Sequence, residues 1–180
     1  MTPVASYLTY RQVADDAHCQ ELMKWAAADA ETGMSGKEFL DTAARVVAEP
    51  LPLGAIGSGA ARAYAALGVR TGKTRARTID HPVGYSILGT LCFLGSKAMP
   101  ISDVADAEGH CLIQAILPSS ALSWEGRVMV SIEAAEGGSF VEASTKIPGQ
   151  LMDWGRSTRL LRDLFEDVDR RSTEYRSSRL

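Results

Sequence analysis

The stretch that decides the fold is RVMVSIEAAEGGSFVEASTKI, residues 127–147, which holds two alternating runs joined by a short turn. In both runs every second side chain is apolar or β-branched, and the side chains between them are mostly polar. A period of two is typical of half-buried antiparallel strands, because successive side chains point to opposite faces of a sheet. The side chains predicted to face the core are Val128, Val130, Ile132, Ala134, Val141, Ala143, Thr145 and Ile147.

The turn between the two runs is Glu136-Gly137-Gly138-Ser139. Tight hairpin turns need residues that adopt positive φ, and glycine does so at no steric cost. The sequence therefore predicts a β-hairpin over residues 127–147.

Further elements flank the hairpin on both sides. We predict a short strand at Thr78-Ile79, strands near 100–105 and over 111–117, and a closing helix over about 151–170. The strand over 111–117 is apolar on both faces, which predicts a central position. Pro82 suits the first turn of another helix. The helical residues predicted to face inward are Val83, Ile87, Leu88, Leu91 and Leu94, and then Trp154, Leu161, Leu164, Phe165 and Val168.

The order strand, helix, four strands, helix predicts an α+β domain with an antiparallel sheet and helices on one face. N-terminal helices precede it. The first ends at Gly33, and the second begins with the capping box of Ser35 and Glu38 and ends before Glu49-Pro50. The resulting division is a helical region 1–69, a basic linker 70–77, the sheet domain 78–170 and a mobile or helical tail 171–180.

Composition excludes several classes of protein. With 180 residues, 46% of them hydrophobic and 23% charged, the chain is not a disordered protein. A net charge of -3 argues against nucleic-acid binding. Three cysteines in apolar surroundings suggest the reduced thiols of a cytoplasmic protein, and we expect no signal peptide. Arg62 makes the Gly/Ala-rich segment 51–69 a poor membrane span. The excess of Arg over Lys in an Ala-rich chain suggests a high-GC bacterium.

Three short segments carry the one family resemblance. They are Ser123-Trp124-Glu125-Gly126, Lys146-Ile147-Pro148-Gly149-Gln150 and Asp153-Trp154-Gly155-Arg156. With the order of elements, they make the last hundred or so residues resemble the TATA-box-binding-protein-like, or helix-grip-related, small domains of many uncharacterised bacterial proteins. The resemblance implies a curved sheet crossed by a helix, a shape that binds apolar ligands, nucleic acid or protein in related folds.

None of the candidate motifs meets the structural requirements of the chemical site that it resembles. Residues 68–74, GVRTGKT, have three residues between the glycines where a phosphate-binding loop needs four. Neighbouring residues of a strand point to opposite faces, so His110 and Cys111 cannot readily share one metal ion. Asp103, Asp106 and Glu108 predict a solvated acidic turn. We therefore expect no catalytic residue, no metal ion and no cofactor.

The leading hypothesis is a non-catalytic binding or assembly domain that acts through association with a protein or with itself. Its predicted contact residues are Ile56, Tyr64 and Leu67, in the apolar segment 51–69. The alternative is a binder of a small apolar molecule, or a small enzyme, with a cavity between the sheet and the C-terminal helix. The residues predicted to line that cavity are Trp124, Trp154, Met129 and Met152, with His110 as the only plausible base.

A third hypothesis is contact with nucleic acid through the basic segment, at Arg70, Lys73, Arg75 and Arg77.

Overall fold

Five helices and a five-stranded antiparallel sheet make up the described part of the computed structural model, which covers residues 6–28, 34–48, 73–119, 125–147 and 155–177. The predicted α+β class and the predicted order of strands and helices are confirmed. The helices are α1 (Tyr10–Asp15), α2 (Ala17–Ala28), α3 (Gly36–Ala48), α4 (Val83–Ser96) and α5 (Arg156–Ser177). The strands are β1 (Lys73–Ile79), β2 (Ile101–Ala107), β3 (His110–Leu117), β4 (Gly126–Ala135) and β5 (Gly138–Lys146).

The strands lie in the spatial order β1-β5-β4-β3-β2, and every neighbouring pair is antiparallel. The predicted hairpin is confirmed: β4 and β5 pair through Ala135 and Gly138, with Glu136-Gly137 as the turn. Strand β3, predicted as central, is an interior strand, and β4 lies at the centre. The sheet edges are therefore β1 and β2.

One hydrophobic core lies between the sheet and the helices. Val128, Val130 and Ile132 of β4 are fully buried in it, as their period of two predicts. Every one of the five described helices contributes buried side chains to the same core. Residues 83–95 of α4 are all buried, because α4 packs between α2, α5 and the sheet. The predicted inward residues of α5 are confirmed at Leu161, Leu164, Phe165 and Val168, and Trp154 lies outside the described residues.

The N-terminal helices differ from the prediction in one respect. The predicted single first helix is two helices, because Asp16 is extended, with a ψ of 123°. Its Oδ1 accepts a hydrogen bond from the amide of Cys19 at 2.8 Å, so this side chain caps α2. The predicted capping box of α3 is confirmed, since Ser35 and Glu38 each accept a bond from the other's backbone amide.

Two predicted boundaries need correction. Residues 73–77, predicted as part of a basic linker, belong to β1, because their backbone pairs with β5 along one side of the strand although their side chains are exposed. Residues 70–72 lie outside the described part. Helix α5 begins at Arg156, after Gly155 with a φ of 75°, and runs beyond the predicted end to Ser177. Residues 171–177 are thus helical, one of the two predicted alternatives. None of the helices described is both long enough and apolar enough to cross a membrane.

Candidate protein interface

Two of the predicted cavity residues lie on the wrong side of the sheet for the cavity they were assigned to. Cys111 and Val130 belong to the core, and their strand neighbours His110 and Met129 point the other way. We call the face against the helices the inner face and the opposite one the back face. Met129, at 4% exposure, and His110 lie on the back face. They cannot line a cavity between the sheet and α5.

The other predicted site residues do not enter the described structure. Trp124, Met152 and Trp154 lie outside the described residues. The predicted partner contacts, Ile56, Tyr64 and Leu67, also lie outside them. Leu164 and Val168 of α5 and Val141 of β5 are fully buried and belong to the same core. The cavity hypothesis therefore receives no support from the described residues.

On the back face His110 lies in a polar row that crosses three strands. Its Nε2 is 3.3 Å from Oγ of Ser131 and 3.6 Å from Oε1 of Glu133. Ser131 pairs with Glu142 of β5 across the strands. Burial, and then the charge of Glu133, raise the pKa of Glu142.

This row resembles a Ser-His-acid triad in composition but not in geometry. In a triad the serine and the acid contact opposite nitrogens of the imidazole ring, so that one nitrogen accepts the serine proton while the acid orients the ring through the other. Here both Ser131 and Glu133 approach the same nitrogen of His110. Ser131 is also 2% exposed in mid-strand, where a substrate carbonyl cannot reach it. The arrangement stabilises the sheet and does not provide an activated nucleophile.

A second polar cluster lies between α4 and α5. The hydroxyl of Tyr175 donates a hydrogen bond to Sγ of Cys92 at 3.2 Å, and buried Arg171 pairs with Asp167 on the same helix. Burial raises the pKa of Cys92 to about 11. A thiol with this pKa is protonated at neutral pH and is a poor nucleophile. The hydrogen bond between Tyr175 and Cys92 links α5 to α4.

The acidic residues near the β2–β3 turn have separate positions. Asp103 and Asp106 lie in β2 and Glu108 lies in the turn. Asp106 accepts hydrogen bonds from the backbone amides of Tyr10 and Arg11, at 2.7 and 3.1 Å. It therefore caps α1. Within the described ranges no three histidine, cysteine or acidic side chains converge as a metal site would require.

The β2 edge of the sheet is covered by the N-terminal helices. Helix α3 packs against β2, and Asp106 joins the strand to α1. The backbone amide of Gly109 donates to the carbonyl of Leu8 at 2.9 Å. These contacts leave little room for another strand at this edge.

The β1 edge is open by comparison. Six consecutive residues of β1, from Lys73 to Thr78, are exposed, and only Ile79 is buried. In the sheet β1 pairs with β5 on one side and with no described strand on the other. An edge strand presents unpaired N–H and C=O groups to its surroundings, and so can pair with another chain.

The exposed cations of β1 are arranged in one row. Lys73, Arg75 and Arg77 pair with Thr145, Ala143 and Val141, whose apolar members belong to the core, so all three cations are on the inner-face side. Nη2 of Arg77 is 3.4 Å from Oδ2 of Asp169 on α5. We call Lys73, Arg75 and Arg77 the cation row.

The predicted strand at Thr78-Ile79 is the end of β1, and the prediction omits residues 73–77 although a strand signal is present there. Residues 73–78, KTRART, alternate cations with Thr and Ala, which is a period of two. The usual strand signal has an apolar side, and this segment has none, because both of its faces are exposed. Comparison of the chain with protein-family models, with curated proteins and with solved structures finds no match. The resemblance to TATA-box-binding-protein-like domains therefore stays a prediction.

Proposed function

We propose that this chain is a non-catalytic binding domain that associates with another protein through the β1 edge. The observation that carries the proposal is the difference between the sheet edges: helices cover β2, whereas six consecutive residues of β1 are exposed. The polar groups of the described part support a non-catalytic role, because His110, Cys92 and Asp106 each serve a structural contact.

The proposal replaces the predicted contact region but keeps the predicted class of function. Residues 51–69 were the predicted contact, and they lie outside the described residues. Recognition by strand addition takes its affinity from main-chain hydrogen bonds and needs no deep pocket. This mode of recognition fits a sheet whose inner face is covered by helices and whose β1 edge is exposed.

We also place the chain in the cytoplasm, as part of the same proposal. Cys19, Cys92 and Cys111 are all buried, and none of them forms a disulfide. Buried thiols without disulfides fit a reducing compartment.

A crosslinking experiment in cells of the source organism tests the role of the β1 edge. A photo-reactive amino acid replaces Thr74 in β1 or, as a control, exposed Glu108 at the opposite end of the sheet's strand order. We expect a discrete protein adduct from position 74 and none from position 108. Equal adducts at both positions, or none at either in a chain shown to be folded, would contradict the proposal.

A further inference from the structure

We propose that the β1 edge binds an acidic segment in extended conformation, which adds to the sheet as a sixth strand with its carboxylates beside the cation row. This inference rests on the proposed function and names the chemistry of the partner. It is carried by the edge position of β1 and the exposure of its residues, by the placement of three cations on one side of the strand, and by the ion pair that one of them already makes.

The backbone of β1 supplies the first part of the site. A strand of seven residues extends over about 23 Å. In antiparallel pairing, alternate residues of an edge strand direct both N–H and C=O away from the neighbouring strand. An added strand would satisfy these groups along the full length of β1.

The cation row supplies selectivity. Its side chains recur at every second residue, about 6.8 Å apart along the strand. Side chains on one side of an added strand recur with the same spacing, so a segment with acidic residues at alternate positions would set a carboxylate near each cation. Uniform spacing matters because both strands keep one register along their length.

The chain itself contains an example of the proposed contact. The carboxylate of Asp169 reaches Arg77 from α5, and both side chains are about half exposed, at 52% for Arg77 and 40% for Asp169. Among the described residues, no ion pair involves Lys73 or Arg75. Within the part of the chain that the structure describes, two cations of the row are thus without a carboxylate partner, beside one that already pairs with a carboxylate.

A second copy of the chain fits this edge poorly. In a two-fold antiparallel pair of β1 strands, residues directly opposite one another share a face of the sheet. The cation rows of both copies would then lie side by side, and like charges across a strand pair are destabilising. The same charges that attract an acidic strand therefore oppose self-association.

Nucleic acid also fits less well than an acidic segment. Phosphate binding generally rests on a clustered basic excess, whereas the chain carries a net charge of -3 and Asp169 already occupies part of the row. An acidic segment needs fewer cations, since main-chain hydrogen bonds supply much of the affinity.

The test is a binding titration of the full chain with a fluorescent peptide of about nine residues, long enough to span β1, in which Glu alternates with Thr or Val. We expect binding that weakens with salt and falls about tenfold for Arg75→Glu and for Lys73→Glu, because each turns an attraction into a repulsion. The matched control is Lys97→Glu, an equal change of charge at the far end of α4. A peptide with Lys in place of Glu should not bind.

Backbone methylation separates strand addition from plain charge attraction. In one peptide the N-methyl groups are on the alternate residues whose N–H groups face β1, so this peptide cannot donate hydrogen bonds to β1. In the other peptide they are on the residues in between, so the N–H groups that face β1 are kept. We expect the first peptide not to bind and the second to bind. Equal affinity of both peptides, or equal loss with Lys97→Glu and Arg75→Glu, would overturn the inference.

The two proposals fail in different ways. If a crosslink forms at position 74 but the acidic peptide does not bind, the β1 edge is an interface for a partner of other chemistry, and the inference fails alone. If a mixed-sequence DNA duplex binds more tightly than the peptide and Arg75→Glu removes that binding, the inference is replaced by nucleic-acid recognition. Dimerisation that Arg75→Glu abolishes would overturn it in favour of a second copy.

Discussion

At the scale of single residues, the adjacent glycines of the β4–β5 turn are required for different reasons. Gly137 has a φ of 79°, and a Cβ added there would meet no atom within 4 Å. Gly138 is limited by space, because its Cβ would lie 2.2 Å from the backbone oxygen of Ile79 at the end of β1. One glycine serves the turn and the other serves the junction between two strands.

We therefore expect different costs for the two substitutions. Gly137→Ala should cost about 1–2 kcal/mol of unfolding free energy, the strain of a left-handed residue. Gly138→Ala should cost about 2–3 kcal/mol, because the backbone of β1 must shift. Urea denaturation checks both. Asn, which tolerates positive φ, should restore part of the stability at position 137 but not at 138; a rescue at both positions would contradict this explanation.

Asp106 illustrates a residue whose role is set by a distant part of the chain. Burial raises the pKa of its carboxyl group even though two backbone amides of α1 donate to it. The folded state therefore binds the proton more tightly than the unfolded state. The stability contributed by this linkage is fully present below the ordinary Asp pKa of about 3.9 and is lost as pH rises through the raised value.

The variant Asp106→Asn tests this sign, because it keeps one oxygen acceptor and removes the titration. We expect the stability of the natural chain relative to the variant to decrease as pH rises from about 3.9 towards neutrality. Urea denaturation at a series of pH values measures the difference. An increase over the same range would show that hydrogen bonding to the carboxylate outweighs its burial.

At the scale of elements, the contact between α4 and α5 depends on one glycine. A Cβ at Gly89 would lie 3.2 Å from both Cα and the carbonyl oxygen of Val168, and those backbone atoms belong to a packed helix. A Cβ at Gly95 in the same helix would meet only Ala27 and Phe39 side chains, at an ordinary 3.4 Å. Close approach of the helices therefore requires a glycine at the first position and not at the second.

These two positions make a matched pair of variants. We expect Gly89→Ala to lower the unfolding free energy by about 1–2 kcal/mol through overpacking. Gly95→Ala should leave it unchanged or raise it by up to about 1 kcal/mol, because alanine favours helix. Chemical denaturation of both variants checks the contrast. Similar losses at the two positions would mean that α4 tolerates no added methyl group for another reason.

At the scale of the whole molecule, the N-terminal helices and the sheet share one core. Buried side chains of α1, α2 and α3 belong to the same cluster as those of α4, α5 and the sheet. The three cysteines are buried in different parts of this core. Cys19 lies in α2, Cys92 in α4 and Cys111 in β3. Burial raises the pKa of Cys111 well above its usual range and that of Cys92 to about 11.

We expect these thiols to resist alkylation in the folded protein and to become reactive together. Thiolate is the reactive form, and burial disfavours it. A shared core predicts a cooperative transition, so labelling of the three thiols, mapped by mass spectrometry, should rise at one denaturant concentration. Labelling of Cys19 at a lower concentration than Cys111 would show that the N-terminal helices unfold on their own.

The sequence by itself determined the hairpin, the capping box of α3, the order of strands and helices, and which faces of β4 and α5 are buried. These features depend on residues a few positions apart, where periodicity and turn chemistry act directly. Of β1 the sequence predicted only Thr78-Ile79, since the exposed residues before them have no apolar side and the pairing partner β5 comes much later in the chain.

Only the tertiary structure decided the sides and edges of the sheet. It placed Met129 and His110 away from the helices, joined Asp106 to a helix 96 residues earlier, and left β1 open while covering β2. The physical reason is that an edge or a face is defined by neighbours brought together from distant parts of the chain. No local pattern contains that information, so the β1 edge can be recognised as a candidate interface only from the order of strands in the sheet.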